Sequence, residues 1–346
     1  MGIATGNRKV SLKEIAKVEH VSIATVSMAL SGKSGVSREV ADRIKKTADQ
    51  MGYVPPKREK RVEKRLGSIA ILQPIDEFSM HSWSIFTRII KQIEQNLISN
   101  DFFPVIIPIN NIIRTEDTLR KLIEMNVHAV VSIHHIDESL FHDLTIRGIS
   151  VIIINNSSLE DSYTSVLVDD FQGAYNSALE LVHNGHKRIL YVDYPRSDLP
   201  NITLDRRMGV QKASLEFASS GFEFSLIELP NYDIASIKQE LTIIQEKNIT
   251  ALLSHDDYIA ASIYMVLNQM GYSIPEDVSM ISTGGGVLDY SIASTPQLSA
   301  YELDVDLIGQ IAGEEILRLI SSEEKDIRVL RTKQLFRDRS SIKKYI

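Results

Sequence analysis

The sequence contains no cysteine, which removes disulfides, thiolate metal sites and cysteine nucleophiles together. No apolar run nears the roughly 20 residues that a membrane-spanning helix requires, and Met1 to Val10 lack the apolar core of a secretory signal. The expected location is therefore the cytoplasm, with no membrane partner. Nine histidines are the soft metal ligands that remain, and no pair of them has a ligand spacing on a helical pattern. His134 and His135 are adjacent and would point apart on a strand. Neither a metal nor another cofactor is expected.

At 346 residues the chain is too long for one compact core, so two or three folded units are expected. With 43% apolar and 24% charged residues it has the composition of a folded globular protein rather than a disordered one. The net charge of -7 hides an asymmetry. Of 38 Lys/Arg and 45 Asp/Glu, residues 1–66 hold 15 and 7, leaving 23 and 38 for the rest. A basic head on an acidic body points to a head that meets a polyanion. A solvated basic face with no partner would give the same count.

Ser11-Leu12-Lys13-Glu14 reads as a capping box opening a short helix to about Lys17. A second helix starts at Ser22, with Val26, Ala29 and Leu30 on one face and Ile23, Ala24, Ser27 and Met28 on the other. A third starts at Ser37, runs through Val40, Ala41, Ile44 and Ala48, and closes at Gly52. Three short helices, the first two joined by a tight turn, form an all-α helix-turn-helix unit. Its small core draws on Ile15, Ala16, Val21, Val26, Leu30, Val36, Val40, Ile44 and Tyr53.

The run VSLKEIAKVEHVSIATVSMALSGKSGVSREVADRIKKTADQMGYVP, residues 10–55, resembles the headpiece of the lactose and galactose repressor (LacI/GalR) family. The resemblance implies a sequence-specific DNA-binding regulator, a repressor of carbohydrate-utilisation genes and not an enzyme. Base reading falls by the same resemblance to Ile23, Ala24 and Met28, with Ser22, Thr25 and Ser27 on phosphates; a reader such as Ile23 could instead pack inward. Two positions depart from the family pattern. His20 stands where a turn glycine is usual, and histidine tolerates positive φ better than most residues. Met28 replaces a guanine-reading arginine, and methionine can contact a thymine methyl but cannot make the bidentate bonds. Small apolar readers leave much of the discrimination to DNA shape.

Pro55-Pro56 end the headpiece, and the linker 57–66 is strongly basic. In the family this stretch becomes a hinge helix wedged into the minor groove, which implies Val62 as the wedge. A flexible, solvated basic tether is the other reading, since closely spaced like charges repel unless phosphates neutralise them.

From Ser68 short apolar runs alternate with helix-length amphipathic stretches. Strands are expected at Ser68-Leu72, Pro104-Ile107, Ala129-Ile133, Val151-Ile154, Arg188-Asp193, Leu226-Leu229, Ala251-Ser254 and Val278-Ser282. Helices are expected near 86–99, 116–125, 138–147, 171–184, 205–219, 235–247, 257–270 and 304–320. Alternating βα order with β-branched strands argues for parallel sheets covered on both faces. The stretch 68 to about 337 resembles the two-lobed periplasmic-binding-protein-like fold of the same family, with two parallel doubly wound sheets. VLVDDFQGAYNSALELVHNGHKRILYVD (166–193), PEDVSMIST (275–283) and TPQLSAYELDVDLIGQIA (295–312) carry the match. They place lobe crossings near Leu167, Glu302 and Thr332. The resulting division is a headpiece 1–56, a hinge 57–66 and an effector-binding and dimerisation domain 67–346. Within that domain the N-lobe is 67–167 plus 303–332 and the C-lobe 168–302 plus 333–346.

Ligands in open α/β folds sit at strand carboxyl ends. The resemblance places Arg206, Asn155, Tyr232 and Asp256 in that cleft, where an arginine fork and an aromatic face suit a sugar. Arg206 could instead form a surface ion pair with Asp205, and Asp256 could simply cap a helix. Where the family commonly carries an aspartate this chain reads Ser282-Thr283-Gly284-Gly285-Gly286, and exposed amides at Gly284 would suit an anion such as a sugar phosphate; a merely flexible loop is the alternative. The triple glycine lacks the residues of a nucleotide loop.

The implied partners are a near-palindromic double-stranded operator, a carbohydrate or phosphorylated effector and a second copy of the chain. No heptad-patterned tail precedes Ile346, so a tetramer built on a terminal bundle is not expected. One alternative is a catabolite-control regulator with the phosphocarrier protein HPr as co-repressor. Another, in a different class, is a periplasmic-type sugar-binding protein, against which the headpiece argues.

Overall fold

The structure is a computed structural model describing residues 10–31, 35–53, 67–75, 83–110, 112–194, 200–231, 233–286, 297–322 and 326–345. The chain divides into two compact units, Met1–Arg65 and Leu66–Ile346.

The first unit holds α1 (Leu12–Val18), α2 (Ile23–Ser31) and α3 (Arg38–Gln50). Each start satisfies amides that the first turn leaves without partners. The Glu14 carboxylate accepts the Ser11 amide at 2.8 Å, the Ser22 hydroxyl accepts from the Thr25 amide at 3.0 Å, and Ser37 caps α3 through the Val40 amide. His20 adopts φ +51° in the turn between α1 and α2. Ile15, Ala16, Val26, Ala29, Ile44 and Ala48 form the core, with Val21, Leu30, Val36, Val40 and Tyr53 packed at its margin. Glu19, just past α1, accepts from Thr47 at 2.5 Å and Arg43 at 2.7 Å on α3. The Thr47 bond, with Arg43 behind it, holds this carboxyl below its ordinary range.

The second unit begins β1 (Gly67–Pro74), α4 (Trp83–Ser99), β2 (Phe102–Ile109), α5 (Thr115–Glu124), β3 (Val127–Ile133), α6 (Glu138–Ile146), β4 (Ser150–Ile154), β5 (Thr164–Val168). It continues α7 (Asp170–His183), β6 (Arg188–Asp193), α8 (Pro200–Phe217), β7 (Glu223–Glu228), α9 (Ile234–Glu240), α10 (Ile243–Glu246), β8 (Ala251–Ser254) and α11 (Asp257–Gln269). Last come β9 (Ser279–Gly285), β10 (Ser299–Glu302), α12 (Val305–Ser321), β11 (Val329–Thr332) and β12 (Leu335–Arg337). Two six-stranded sheets result, ordered β11-β5-β4-β3-β1-β2 and β12-β10-β9-β8-β6-β7.

Each sheet is covered on both faces, which is why its inner strands read as unbroken apolar runs. In the first lobe α4 and α12 pack on one face through residues such as Phe86, Ile89 and Ile308. Helices α5 and α6 cover the other face through Leu122, Leu140 and Phe141. In the second lobe α7 and α8 cover one face and α9, α10 and α11 the other.

Several sequence expectations need correction. The sheets are not wholly parallel, because β12 runs antiparallel to β10. The chain leaves the first sheet at the carboxyl end of β11 and enters the second sheet at its carboxyl edge, so it must run against the strands already there. Strands β5, β10, β11 and β12 were not among the expected ones; β11 and β12 are short, largely exposed edges carrying Arg331 and Arg337 in place of an apolar run. The expected helix 235–247 is two, α9 and α10, parted at Leu241-Thr242 where the Thr242 hydroxyl donates back to the Gln239 carbonyl at 2.8 Å. Edge strand β7 starts at Glu223, earlier than Leu226, and its partial exposure hid that start. His134 and His135 lie just past β3 rather than on a strand.

Candidate functional site

In the first unit the outer face of α2 carries an apolar residue that folding leaves uncovered. Ile23 is 49% exposed while Val26 and Ala29, three and six residues on, are buried. Ser22, Ala24 and Ser27 are exposed, and Thr25 and Met28 half-buried. The Ser22 and Thr25 hydroxyls lie 2.8 Å apart. Inward packing of Ile23 is thereby ruled out. Six of the seven residues expected to meet DNA thus lie on α2 or at its cap; the seventh, Val62, lies outside the described residues, as does the linker 57–66.

In the second unit three segments cross between the two sheets, after the carboxyl ends of β5, β10 and β11. Beside the first and third crossings lies a buried polar network. Arg206 of α8 is 6% exposed. Its Nε and Nη2 donate to one oxygen of Asp170 at 2.8 and 2.7 Å, and Nη1 donates to the His255 carbonyl at 2.7 Å. Asp170 opens α7, directly after the first crossing, and also accepts from Gln334 on the third crossing at 3.2 Å. Gln334 in turn accepts from the Gly284 amide at 3.1 Å. A Cβ on Gly284 would overlap the Arg206 guanidinium, and one on Gly173 the Gln334 amide. Both glycines therefore make room for side chains of this network.

A second layer lies below it. Asp193, at the end of β6, is buried and accepts from Arg207 and from His255 Nδ1, the latter at 2.9 Å. Burial alone would raise its pKa; hydrogen bonds and charge from His255 and Arg207 outweigh it and hold the carboxyl below its usual range. Arg207 also reaches Glu228 at 2.8 Å.

The residues expected in the cleft fall into place unevenly. Arg206 does not pair with Asp205 on the surface; its partner is Asp170, and Asp205 stands beside it half-buried. Asp256 caps α11 by accepting the Ile259 amide at 2.8 Å, and it lies close enough for its charge to act on Arg206. Asn155, at the end of β4, is buried at φ +54°; its Nδ2 lies 3.0 Å from His134 Nε2 and its Oδ1 has no partner. Gly284 does not offer a free amide to an anion. It belongs to β9, is buried, and its N–H is taken by Gln334. The Gly286 amide is likewise taken, by Asp257 at 3.0 Å. Tyr232 lies outside the described residues. Asp170, Gln334, Asp193 and His255 were missed by sequence reasoning. A second acid beside Asp169 in VDDFQG was the available signal for Asp170; the others come from strand ends that only the tertiary fold brings together.

Among the described residues no helix is long and apolar enough to cross a membrane, and no group of acidic or histidine side chains could hold a metal ion. Residues 11–56 match the model of the bacterial regulatory proteins of the lacI family, and residues 178–342 the periplasmic binding protein-like domain. The chain is 24% identical over 343 residues to a protein of Bacillus subtilis named "Probable HTH-type transcriptional repressor ExuR", covering 97% of this chain and 99% of that one. It is 24% identical to the HTH-type transcriptional regulator AscG of Escherichia coli, over 89% and 92% of the two chains. A transcriptional regulator CelR–cellobiose complex shares the fold with a TM-score of 0.66 at 20% identity, covering 96% of this chain and all of that one. The lac repressor dimer bound to operator and anti-inducer shares it at 0.63 and 16%, over 96% and 99%. The chain thus joins a helix-turn-helix domain of the lacI family of bacterial regulatory proteins to a periplasmic binding protein-like domain, and it aligns over nearly its whole length with regulators of transcription.

Proposed function

We propose that the protein is a repressor of carbohydrate-utilisation genes that binds a near-palindromic operator as a cytoplasmic homodimer and is controlled by a sugar in the interlobe cleft. Residues 1–56 are the reading head, 57–66 the hinge with Val62 as its wedge, and 67–346 the effector-binding and dimerisation domain. Ile23, Ala24 and Met28 read bases, and Ser22, Thr25 and Ser27 hold phosphates. Arg206, Asn155, Asp256 and Tyr232 serve the effector, while Gly284 acts by admitting Arg206 rather than by binding the ligand.

The observation that carries this reading is the exposed, small and weakly polar face of α2 around Ile23, set on a buried core. A shallow outer surface of that kind fits a major groove and has no role in holding the unit together. The cleft reading draws on Arg206, whose spare guanidinium hydrogens suit vicinal hydroxyls, and on the cellobiose complex above. A related structure from Enterococcus faecium was solved with bound ribose.

Selection of sites by the full-length protein from a pool of random duplexes tests the operator half. It should return inverted half-sites whose centres lie about one helical turn apart, roughly 34–36 Å. A single unpaired site, or no consensus at all, refutes the dimeric repressor. Binding should also weaken steeply with salt, since phosphate contacts release counterions.

A further inference from the structure

Side chains join the two lobes at a point away from the covalent crossings. Asn201, in the first turn of α8 in the second lobe, donates through Nδ2 to the Ser157 and Ser158 hydroxyls at 3.2 and 3.0 Å. Both serines follow β4 of the first lobe. The Ser158 hydroxyl gives its own hydrogen to Asn156 Oδ1 at 2.8 Å, so towards Asn201 it can only accept. Asn156 in turn donates to the His134 carbonyl at 2.8 Å, just past β3. An oriented chain of hydrogen bonds thus runs from α8 through the segment after β4 to the first sheet.

The segment that receives Asn201 is pinned on both sides. Asn156 is buried, and its Oδ1 also accepts the Ser158 amide at 3.1 Å. Further along, Glu160 pairs with Arg331 of β11 at 2.6 Å. A pull on Ser157 or Ser158 is therefore a pull on the first lobe itself. The contact also has leverage. In the second sheet β6, which leads into α8, lies three strands from β10, the strand that ends in the second crossing. With strands about 4.8 Å apart, the start of α8 stands on the order of 14 Å from that crossing. Rotating one lobe about the crossings by about 15° would move donor and acceptors apart by roughly 4 Å, which takes them out of hydrogen-bond range. The contact is made in one arrangement of the lobes and lost in others, and a contact of that kind biases the equilibrium between them.

We propose that Asn201, Ser157 and Ser158 form an interlobe latch, and that this latch, rather than the crossings, holds the lobes in the arrangement described. Asn201 is its positioning residue. The latch lies on the helix that carries Arg206 and two residues from Asn155, so it sets the spacing of two side chains that stand on opposite lobes. It acts on the lobes alone, whatever the chemistry of the effector.

The absence of native cysteine allows spin labels to be placed at Lys121→Cys on α5 and Lys238→Cys on α9, two exposed positions on different lobes. Double electron–electron resonance on the full-length protein, diluted with unlabelled chain so that one labelled copy is read, gives the distribution of lobe separations. With the latch intact one distance should dominate. Asn201→Ala should bring in a second, with the open fraction raised on the order of tenfold, the net worth of two partly exposed hydrogen bonds. Ser157→Ala together with Ser158→Ala should do the same, and combining them with Asn201→Ala should add nothing. Gln211→Ala, on the exposed face of the same helix, should leave the distribution as it is. An unchanged distribution in Asn201→Ala, or asparagine and serine changes whose effects add, overturns the latch. A lower melting temperature in Asn201→Ala with the distances unmoved overturns it too, since the residue would then serve only the folding of α8. Should Asn201→Ala fail to fold, Ser157→Ala alone removes one bond at a half-buried position. It should still raise the open fraction about threefold, and no shift there refutes the latch.

Discussion

Gly284→Ala should cost far more stability than a glycine of similar backbone geometry elsewhere in the same lobe. Gly284 has φ +62° and Gly221 has φ +77°, so alanine at either position carries the left-handed penalty of about 1–2 kcal/mol. At Gly221 nothing lies within 4 Å of the added Cβ, and the cost ends there. At Gly284 the Cβ falls on the buried Arg206 guanidinium. Arg206 must shift, at an overpacking cost of about 1–3 kcal/mol, and its bonds to Asp170 and to the His255 carbonyl loosen with it. The expected difference between the two variants is therefore about 2 kcal/mol. In thermal denaturation of the full-length protein that is roughly 4–8 °C for a lobe pair of this size, on top of the shift seen for Gly221→Ala. Gly284→Ala should also lose effector response while keeping operator binding. Equal melting temperatures for the two variants would refute the argument, because they would mean that Arg206 does not sit against β9.

Three further outcomes follow from single contacts. Ser22→Ala removes the cap of α2 and should cost the reading head about 1 kcal/mol, seen as earlier loss of its helical signal on heating together with weaker DNA binding. Asp193→Asn leaves His255 and Arg207 without their buried anion and should destabilise the second lobe by about 3 kcal/mol in denaturant titration. The folded pKa of Asp193 is depressed, so its contribution is present above the unfolded value and lost as pH falls through the folded one; the wild type should converge on the variant only in strong acid. Met28→Arg restores a fork that can read guanine, and site selection should then return guanine at one position per half-site with a preference of about 1–3 kcal/mol.

Element order and the small core of the first unit were legible because each rests on local pattern. Ser11-Glu14, Ser22 and Ser37 announce helix starts by chemistry that acts within one turn, and Val151 to Ile154 announce a strand buried on both faces. What escaped was set by partners distant in sequence. Strands β11 and β12 carry arginines and are strands only because β5 and β10 offer free edges. Arg206 was found, yet its true partner Asp170 lies 36 residues back, and neither periodicity nor spacing links the two. Gly284 was read as a loop glycine with a free amide, when its lack of a side chain serves a guanidinium from another element.

These same contacts join the cleft to the crossings. Asp170 follows β5 directly, Gln334 follows β11, and both are tied to Arg206 through one carboxylate oxygen. The Asp169 amide donates to the Thr332 carbonyl at 2.9 Å, and the Thr332 hydroxyl donates to the Leu167 carbonyl at 3.2 Å, so the first and third crossings are bonded side by side. Across the cleft the Asn201 amide of α8 donates to the Ser157 and Ser158 hydroxyls of the other lobe at 3.2 and 3.0 Å. Arg206, Asp170, Gln334 and the His255 carbonyl all belong to the second lobe, so a ligand bound through the spare hydrogens of Arg206 would shift the angle between the lobes only by as much as its affinity differs between their arrangements. Coupling of the proposed kind needs no long relay, because Arg206 is bonded to Asp170, which follows the first crossing and is itself bonded to Gln334 on the third.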